Sequence, residues 1–479
     1  MKNAGRQGTI LLDRRYTYRH LCNSSTLGNV IPLDVCRDIR HILRRLIAGR
    51  PVCRLMCSLM CRRVPRSSSD TLVRLTILHS QFQTMGGAEV LLTSQARWLA
   101  AAGHDVRVVA FTVDPAYRAK HLADLHVTEV GLPGGVQHME ALTPAMMPEL
   151  VERTRPALKD CDTVMALNYP SAPIAADASN ARRVWYACEP YRSLYLREGN
   201  PAAAAHADRA GLRAEDFATR QVARRLLRRK VQHAMFPWTA AREQSLKQFD
   251  GAAIRGLDGV ASLSRYAADC VRDATGRADA SVVHPMIRFT QTTPHRHGIC
   301  RDAPQILVQT RLVIPKNLDT LIRALVIVRR RHPRAQLHVV GTGPRRAVLE
   351  HLARRVAPGA VTFHGFLSDA ALDTLCASCD LFAFAPVDEP FGMVFPEAAA
   401  RGLLMVGSDH GGPREILEDG AIGELCNPFD AECVADAILR TLALSDTEAD
   451  ARRARADHSV RARFCADVTG RQLESLLQG

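Results

Sequence analysis

The 479-residue chain has no apolar run approaching the ~18 uninterrupted residues of a membrane-spanning helix. Charges run through its first fifty residues, which have no compact apolar segment followed by a small-residue cleavage site, so no secretory signal is expected. No aromatic residue interleaves with the basic run Arg224–Lys230, which argues against the stacking platforms of nucleic-acid binders; no nucleic-acid partner is expected. Zinc-type spacing is missing although fourteen Cys are present. Cys53, Cys57 and Cys61 recur every four residues, a one-face helical pattern, with no His at finger spacing. Cys376 and Cys379 do form C-x2-C, but inside TLCASCDLFAF, where a helix runs into a buried strand. Small buried hydrophobes in a reducing compartment are the expectation for these thiols. Nothing repeats at a short fixed period, which excludes a solenoid.

Apolar residues make up 47% and charged residues 23%, the balance of a soluble globular protein. The length calls for two large domains plus an extension. The net charge of +14 is unevenly spread: residues 1–70 hold fourteen Lys or Arg against four Asp. We therefore expect a basic, poorly ordered N-terminal extension over 1–70, a solvated tail whose charge also suits an anionic surface.

A strand–turn–helix rhythm begins after Ser67–Asp70. LVRLTILHS reads as a buried strand, Met85–Gly87 as a turn, AEVLLTSQARWLAAAG as an amphipathic helix and HDVRVVAFT as the next strand. DTVMALNY, RRVWYACE, LDGVASLS and ASVVHPMI continue the strands to residue 288, interrupted by a long basic helical stretch between about 200 and 250. The polar run 289–304 reads as a linker. A second alternation starts with QILVQT and fills 305–445, and the charged helices of 446–479 are expected to pack back on the first domain. The fold class is α/β, with two doubly wound Rossmann-like domains facing a ligand cleft.

The densest chemical signal is DEPFGMVFPEAAARG, residues 388–402. Glu389 and Glu397 flank a turn holding Phe391, Gly392, Met393 and Val394, at the exit of a buried strand and the start of a helix. Free backbone N–H groups over 392–395 would suit a phosphate, and the carboxylates would accept hydrogen bonds from sugar hydroxyls. A Glu in the first turn of a helix is also favoured by the helix dipole alone, so Glu397 taken singly has a purely structural explanation.

E-x7-E with FG after its first Glu resembles the large family 4 of retaining glycosyltransferases, with the two-Rossmann GT-B fold. TRLVIPKNLDTLI resembles its G-R-L-x-x-x-K-G segment, GTGP (Gly341–Pro344) its G-x-G-P turn, and SDHGGPREIL the segment closing the donor pocket. Gly86, Gly87, Ala88 and Glu89 resemble its G-G-A-E loop, where absent side chains let backbone approach the donor phosphates. The match covers about 73–479. Departures are visible: Thr310 and Asn317 stand where Gly is usual, and Cys188 where a His is common in the W-Y-x-H-E-P-type motif. The resemblance implies retaining transfer of a hexose, mannose being one candidate, from a GDP- or UDP-sugar to a glycan or lipid-linked acceptor in polysaccharide or glycoconjugate assembly. Arg311, Lys316 and Glu389 would form the catalytic group, the two cations clamping the donor diphosphate and Glu389 binding the sugar ring. Glu397 would bind the ribose hydroxyls, and Gly86, Gly87, Gly343, Phe391, Gly392, Met393 and Val394 would complete the donor pocket. Glu189 and Arg192 are acceptor-side candidates. The family's cations do the work of a metal, so neither a metal nor a cofactor is expected; consistently, no D-x-D triplet stands out.

Three other functions stay open. A dinucleotide enzyme is disfavoured because GTGP lacks the third Gly and the acidic residue ~20 positions on. A GT-B sugar-nucleotide epimerase and a non-catalytic nucleotide-sugar-binding protein are the closer rivals. The expected location is cytoplasmic, with Arg224, Arg225, Arg228, Arg229 and Lys230 suggesting peripheral contact at the inner face of a membrane.

Overall fold

A computed structural model describes residues 72–479 except 84–85, 135, 137–141, 179, 192–193, 196–200, 211–216 and 290–297. The basic segment 1–70, with Cys53, Cys57 and Cys61, lies outside the described residues, as do Met85 and Arg192.

The first half begins β1 (Arg74–Phe82), α1 (Gly87–Ala101), β2 (Asp105–Val113), α2 (Pro115–His121), β3 (His126–Glu129). It continues α3 (Met147–Thr154), β4 (Thr163–Ala166), α4 (Ser171–Ala175), β5 (Arg182–Ala187). Three helices follow in succession, α5 (Pro201–Ala210), α6 (Phe217–Met235) and α7 (Pro237–Arg255), before β6 (Gly259–Ser262), α8 (Arg265–Thr275) and β7 (Ser281–Val282). The seven strands form one parallel sheet in the order β3-β2-β1-β4-β5-β6-β7. β1 and β4 are buried along nearly their whole length because helices cover both faces, which is why they read as continuous apolar runs. β3 escaped sequence reading for the opposite reason. It is an exposed edge strand, HVTE, with only Val127 half-buried.

The second half repeats the plan with β8 (Gln305–Gln309), α9 (Leu318–Arg331), β9 (Gln336–Val340), α10 (Arg346–Val356) and β10 (Val361–Gly365). Then come α11 (Asp369–Ser378), β11 (Leu381–Phe384), α12 (Val394–Ala400), β12 (Leu404–Ser408), α13 (Gly412–Ile416), β13 (Glu424–Cys426) and α14 (Ala431–Leu442). The sheet order is β10-β9-β8-β11-β12-β13, again all parallel. Both sheets therefore reverse winding beside their first strand, at β1/β4 and β8/β11, and loops leaving the carboxyl ends there border a crevice. Cys376 and Cys379 are buried and not disulfide-bonded, at the junction of α11 and β11.

Two helices close the chain. α15 (Asp446–Phe464) starts with a reciprocal capping box between Ser445 and Glu448 and lies against α12 and β12 of the second sheet. α16 (Ala466–Gln478) crosses to the first sheet. There Gly470 packs so closely on Trp98 that a Cβ would lie 2.3 Å from the indole, and Thr163 donates to the Leu477 carbonyl at 3.2 Å. Among the described residues no helix is long and apolar enough to cross a membrane.

Candidate active site

The two cations of the candidate clamp sit on the loop leaving β8. This loop lies flat on the β9–α10 turn: Thr310 N–H donates to Val340 at 2.9 Å and Leu312 N–H to Thr342 at 2.8 Å. Gly341, at φ +127°, makes that approach possible, because a Cβ there would lie 2.0 Å from the Thr310 carbonyl oxygen. Gly343 touches Leu312 in the same way, its hypothetical Cβ 2.6 Å from the Leu312 oxygen. The GTGP turn thus backs the Arg311 loop as well as bordering the cleft. A buried Arg345–Asp319 pair braces the same two segments. Arg311 is exposed, and its side chain has no hydrogen-bond or ion-pair partner among the described residues.

Lys316 ends a short 3-10 turn, and Asn317 follows it in the left-handed region at φ 57°. Glycine is usual at this point of the resembling segment because left-handed backbone is costly for a side chain. Asn317 compensates through its amide. Buried, it donates to the carbonyls of Ala385 at 2.9 Å and Pro428 at 2.7 Å and accepts from Thr320 Oγ1 at 2.8 Å. The departure from glycine is therefore a fastening of three loops. We expect Asn317→Gly to destabilise the protein by ~1–2 kcal/mol through its lost hydrogen bonds, and Asn317→Ala by more, adding left-handed strain. Denaturant melts of both variants check the order.

The loop from β11 to α12 carries the paired carboxylates. Glu389 meets Lys316 directly, Oε2 to Nζ at 2.7 Å, with both side chains largely buried. The Val387 amide bonds to Pro315 at 3.0 Å, tying this loop to the lysine loop. The amides of Gly392, Met393 and Val394 have no hydrogen-bond partner among the described residues. Sequence reasoning extended that free set to residue 395, but the Phe395 amide is taken by the Gly392 carbonyl at 2.9 Å. The Phe391 ring is buried, edge-on to Phe464 with centroids 5.2 Å apart and near His284, so its side chain supports the loop from below.

Glu397 occupies the first turn of α12, and its carboxyl is desolvated strongly enough to raise its pKa to about 7, against the opposing pull of Arg401. Only the ionised form accepts hydrogen bonds at both oxygens. If it holds ribose hydroxyls, donor affinity should rise as pH passes upward through about 7. Glu397→Gln should flatten that dependence, as calorimetric donor titrations from acid to mildly alkaline pH would reveal.

Across the crevice, α1 opens at Gly87 behind an extended Gly86. A Cβ on Gly87 would sit 4.0 Å from Met393 Sδ, so the glycine turn faces the β11–α12 loop directly. Glu89 folds its carboxylate back over Gly86 and lies 3.5 Å from Nε2 of fully buried His79. At the end of β5, Cys188 is buried and its thiol is pushed far above the usual range by desolvation, so it is inert as a nucleophile at neutral pH. Glu189 beside it is half-buried; Arg192 lies outside the described residues.

Contacts between the halves were not legible from motifs. Ser264 caps α8 by accepting from the Ala267 amide and donates its hydroxyl to the Pro390 carbonyl. Glu415 on α13 accepts from the Arg265 amide and from His284 Nε2, each at 2.8 Å. Burial pushes the Glu415 carboxyl up, but these bonds outweigh it and leave its pKa below normal. The SDHGGPREIL segment is thus a fastener between the domains beneath the glutamate loop. On the far side, His206 of α5 stacks on Phe429 with centroids 4.1 Å apart.

Two Rossmann-type sheets with a cation- and carboxylate-lined crevice at their carboxyl edges define the GT-B class. The family described as "Glycosyl transferases group 1" matches residues 290–458, and "Glycosyl transferase 4-like domain" matches 86–249. The chain belongs to the group 1 glycosyltransferases. An uncharacterized glycosyltransferase of Methanocaldococcus jannaschii is 34% identical over 146 residues, 30% of this chain and 37% of that one. A GDP-mannose-dependent alpha-(1-6)-phosphatidylinositol monomannoside mannosyltransferase of Mycolicibacterium smegmatis is 34% identical over 169 residues, 34% and 42% of the two chains. The matched part thus spans less than half of these relatives' length. Among solved structures, Anabaena HepE in complex with UDP and glucose superposes at TM-score 0.62 with 19% identity, over 85% of this chain and 100% of that one. Sucrose-phosphate synthase from Thermosynechococcus elongatus does so at 0.64 with 19% identity, over 85% and 98%. These structural likenesses concern the fold.

Proposed function

We propose that this chain transfers a hexose from a nucleoside-diphosphate sugar to a glycan or lipid-linked acceptor, with retention of anomeric configuration. The observation that carries this proposal is the Lys316–Glu389 contact of 2.7 Å, set between loop amides and an Arg311 side chain that have no hydrogen-bond partner among the described residues. A diphosphate bears more negative charge than one carboxylate, so an entering donor draws Lys316 toward its phosphates and frees Glu389 to accept from sugar hydroxyls. Glu397 then holds the ribose. The anomeric carbon–oxygen bond to the diphosphate breaks while the acceptor oxygen bonds on the same face, and the acceptor proton leaves with the departing diphosphate. Arg311, Lys316 and the amides of Gly392, Met393 and Val394 stabilise the charge that develops there. Glu189 remains an acceptor-side candidate at the end of β5.

In this scheme side-chain cations neutralise the leaving group, so no metal is required. A GDP-mannose-dependent relative and a UDP-bound structural neighbour support testing both nucleotides. In a thermal-shift panel of UDP-, GDP- and ADP-sugars, one nucleotide series should raise the melting temperature, equally with and without a chelator. The shift should vanish in an Arg311→Ala, Lys316→Ala double variant. A shift that needs a divalent cation, or none with any donor, would overturn the proposal. Radiolabelled donor excludes an epimerase if label moves to an acceptor and does not remain in altered free nucleotide sugar.

A further inference from the structure

Large exposed hydrophobic side chains are concentrated at one place. Leu227, Val231 and Met235 on α6 and Phe236 and Trp238 at the start of α7 all stand in solvent, Met235 and Trp238 at 65% and 66% exposure. The four-residue spacing of the first three places them on one helical face. The helix has already used its other apolar face: Ala223 and Leu226 pack against Ala204 and Ala207 of α5. Phe236 and Trp238 extend the ridge around the hairpin turn, with ring centroids 5.0 Å apart.

Among the described residues of α6 and α7, the exposed charge beside this ridge is positive. Arg224 and Arg228 share its face, Arg225 and Lys230 flank it, and all four are exposed. α6 contains no acidic residue, and α7 contains only Glu243 and Asp250. Glu243 is consumed by Arg229, His233 at 3.2 Å and Lys247 at 3.8 Å. Asp250 is buried against Tyr195. Exposed aromatic and aliphatic tips flanked by exposed cations have the composition of an interfacial element.

We propose that the α6–α7 hairpin docks on an anionic phospholipid bilayer, with Met235, Phe236 and Trp238 entering the headgroup–acyl boundary and the cations held by lipid phosphates. Charge selects this occupant over two others. A second copy would bring cation against cation, and residues 1–70, with fourteen Lys or Arg against four Asp, are basic too. The inference does not depend on the transfer chemistry. The same α6 lies against the Ile314–Lys316 turn, so the docked element adjoins the clamp loop.

Co-sedimentation of the full chain with phosphatidylglycerol-containing and pure phosphatidylcholine vesicles tests it. Binding should require the anionic lipid and weaken with salt. Arg224→Gln with Arg228→Gln should reduce it about 25-fold, at about five-fold for each cation. Phe236→Ser with Trp238→Ser should reduce it by at least ~10-fold. Insertion is read separately by lipids brominated in the acyl chain. Of the three tryptophans, Trp185 is buried and Trp98 is packed on Gly470, so bromolipid quenching should be strong in the parent and lost in Trp238→Phe. Two results would overturn the proposal: vesicle binding indifferent to all these changes with Trp238 unquenched, or a vesicle-free dimer abolished by Trp238→Ser, which would make the ridge a self-interface.

Discussion

Replacing Lys316 with alanine should lower kcat/KM by about 10²–10³-fold, the cost of removing one preorganised charge from a developing oxyanion. Two losses combine. The leaving diphosphate loses a cation, and Glu389, bonded to Lys316 at 2.7 Å, is left largely buried without it, facing an anionic ligand. The larger share should fall on kcat, because diphosphate charge grows as the bond to the sugar breaks. Adding Glu389→Gln to Lys316→Ala should then cost less than in the parent, since one of its effects is to remove the stranded charge; a double-mutant cycle exposes that coupling. Arg311→Ala should be milder for stability, as this exposed side chain has no partner to strand among the described residues. A Lys316→Ala enzyme within five-fold of the parent would remove the clamp from the mechanism.

Gly412→Ala should be almost as damaging without touching a charge. A Cβ there would lie 2.3 Å from both the Phe391 Cα and its carbonyl oxygen, a distance real side chains do not adopt. The flanking contacts leave the loop little room to yield: the Gly412 amide holds the Glu389 carbonyl at 2.9 Å, and Phe391 is wedged beside Phe464 and His284. Relief therefore means lifting the strip from Glu389 to Val394, which carries the carboxylate and all three free amides. We expect a loss of ~1–3 kcal/mol from overpacking and at least ~100-fold in kcat/KM from misplaced groups. Parallel thermal melts and donor titrations distinguish this from global unfolding: the variant should stay folded at low temperature yet fail to bind donor. Parent-like kinetics would show that the strip's position does not matter.

Much of the fold was legible because parallel strands covered on both faces leave continuous apolar runs such as LTILHS, and helices between them carry the 3.6-residue period. β3 was lost because an exposed edge strand needs no apolar face. In the candidate site, Glu389 and Glu397 stood out by spacing and Arg311 and Lys316 by the family resemblance, but how these groups contact one another was not legible. Lys316 and Glu389 are 73 positions apart, and nothing in either motif says that they bond to each other before a ligand arrives. Asn317 reads from sequence only as a departure from glycine, whereas in the structure its amide joins three loops. Nothing in the motif says that the Phe391 ring packs edge-on against Phe464, 73 positions away. Ser264 and His284 belong to no motif, and nothing in SDHGGPREIL says that Glu415 holds His284 and the Arg265 amide; these residues matter through contacts spanning more than a hundred positions.

The most direct test of the account is the anomeric configuration of the first product formed from an α-linked nucleoside-diphosphate sugar, followed by proton NMR alongside nucleoside-diphosphate release. The account predicts an α-linked product appearing in step with free nucleoside diphosphate. A β-linked product, or sugar altered while still attached to its nucleotide, would contradict it.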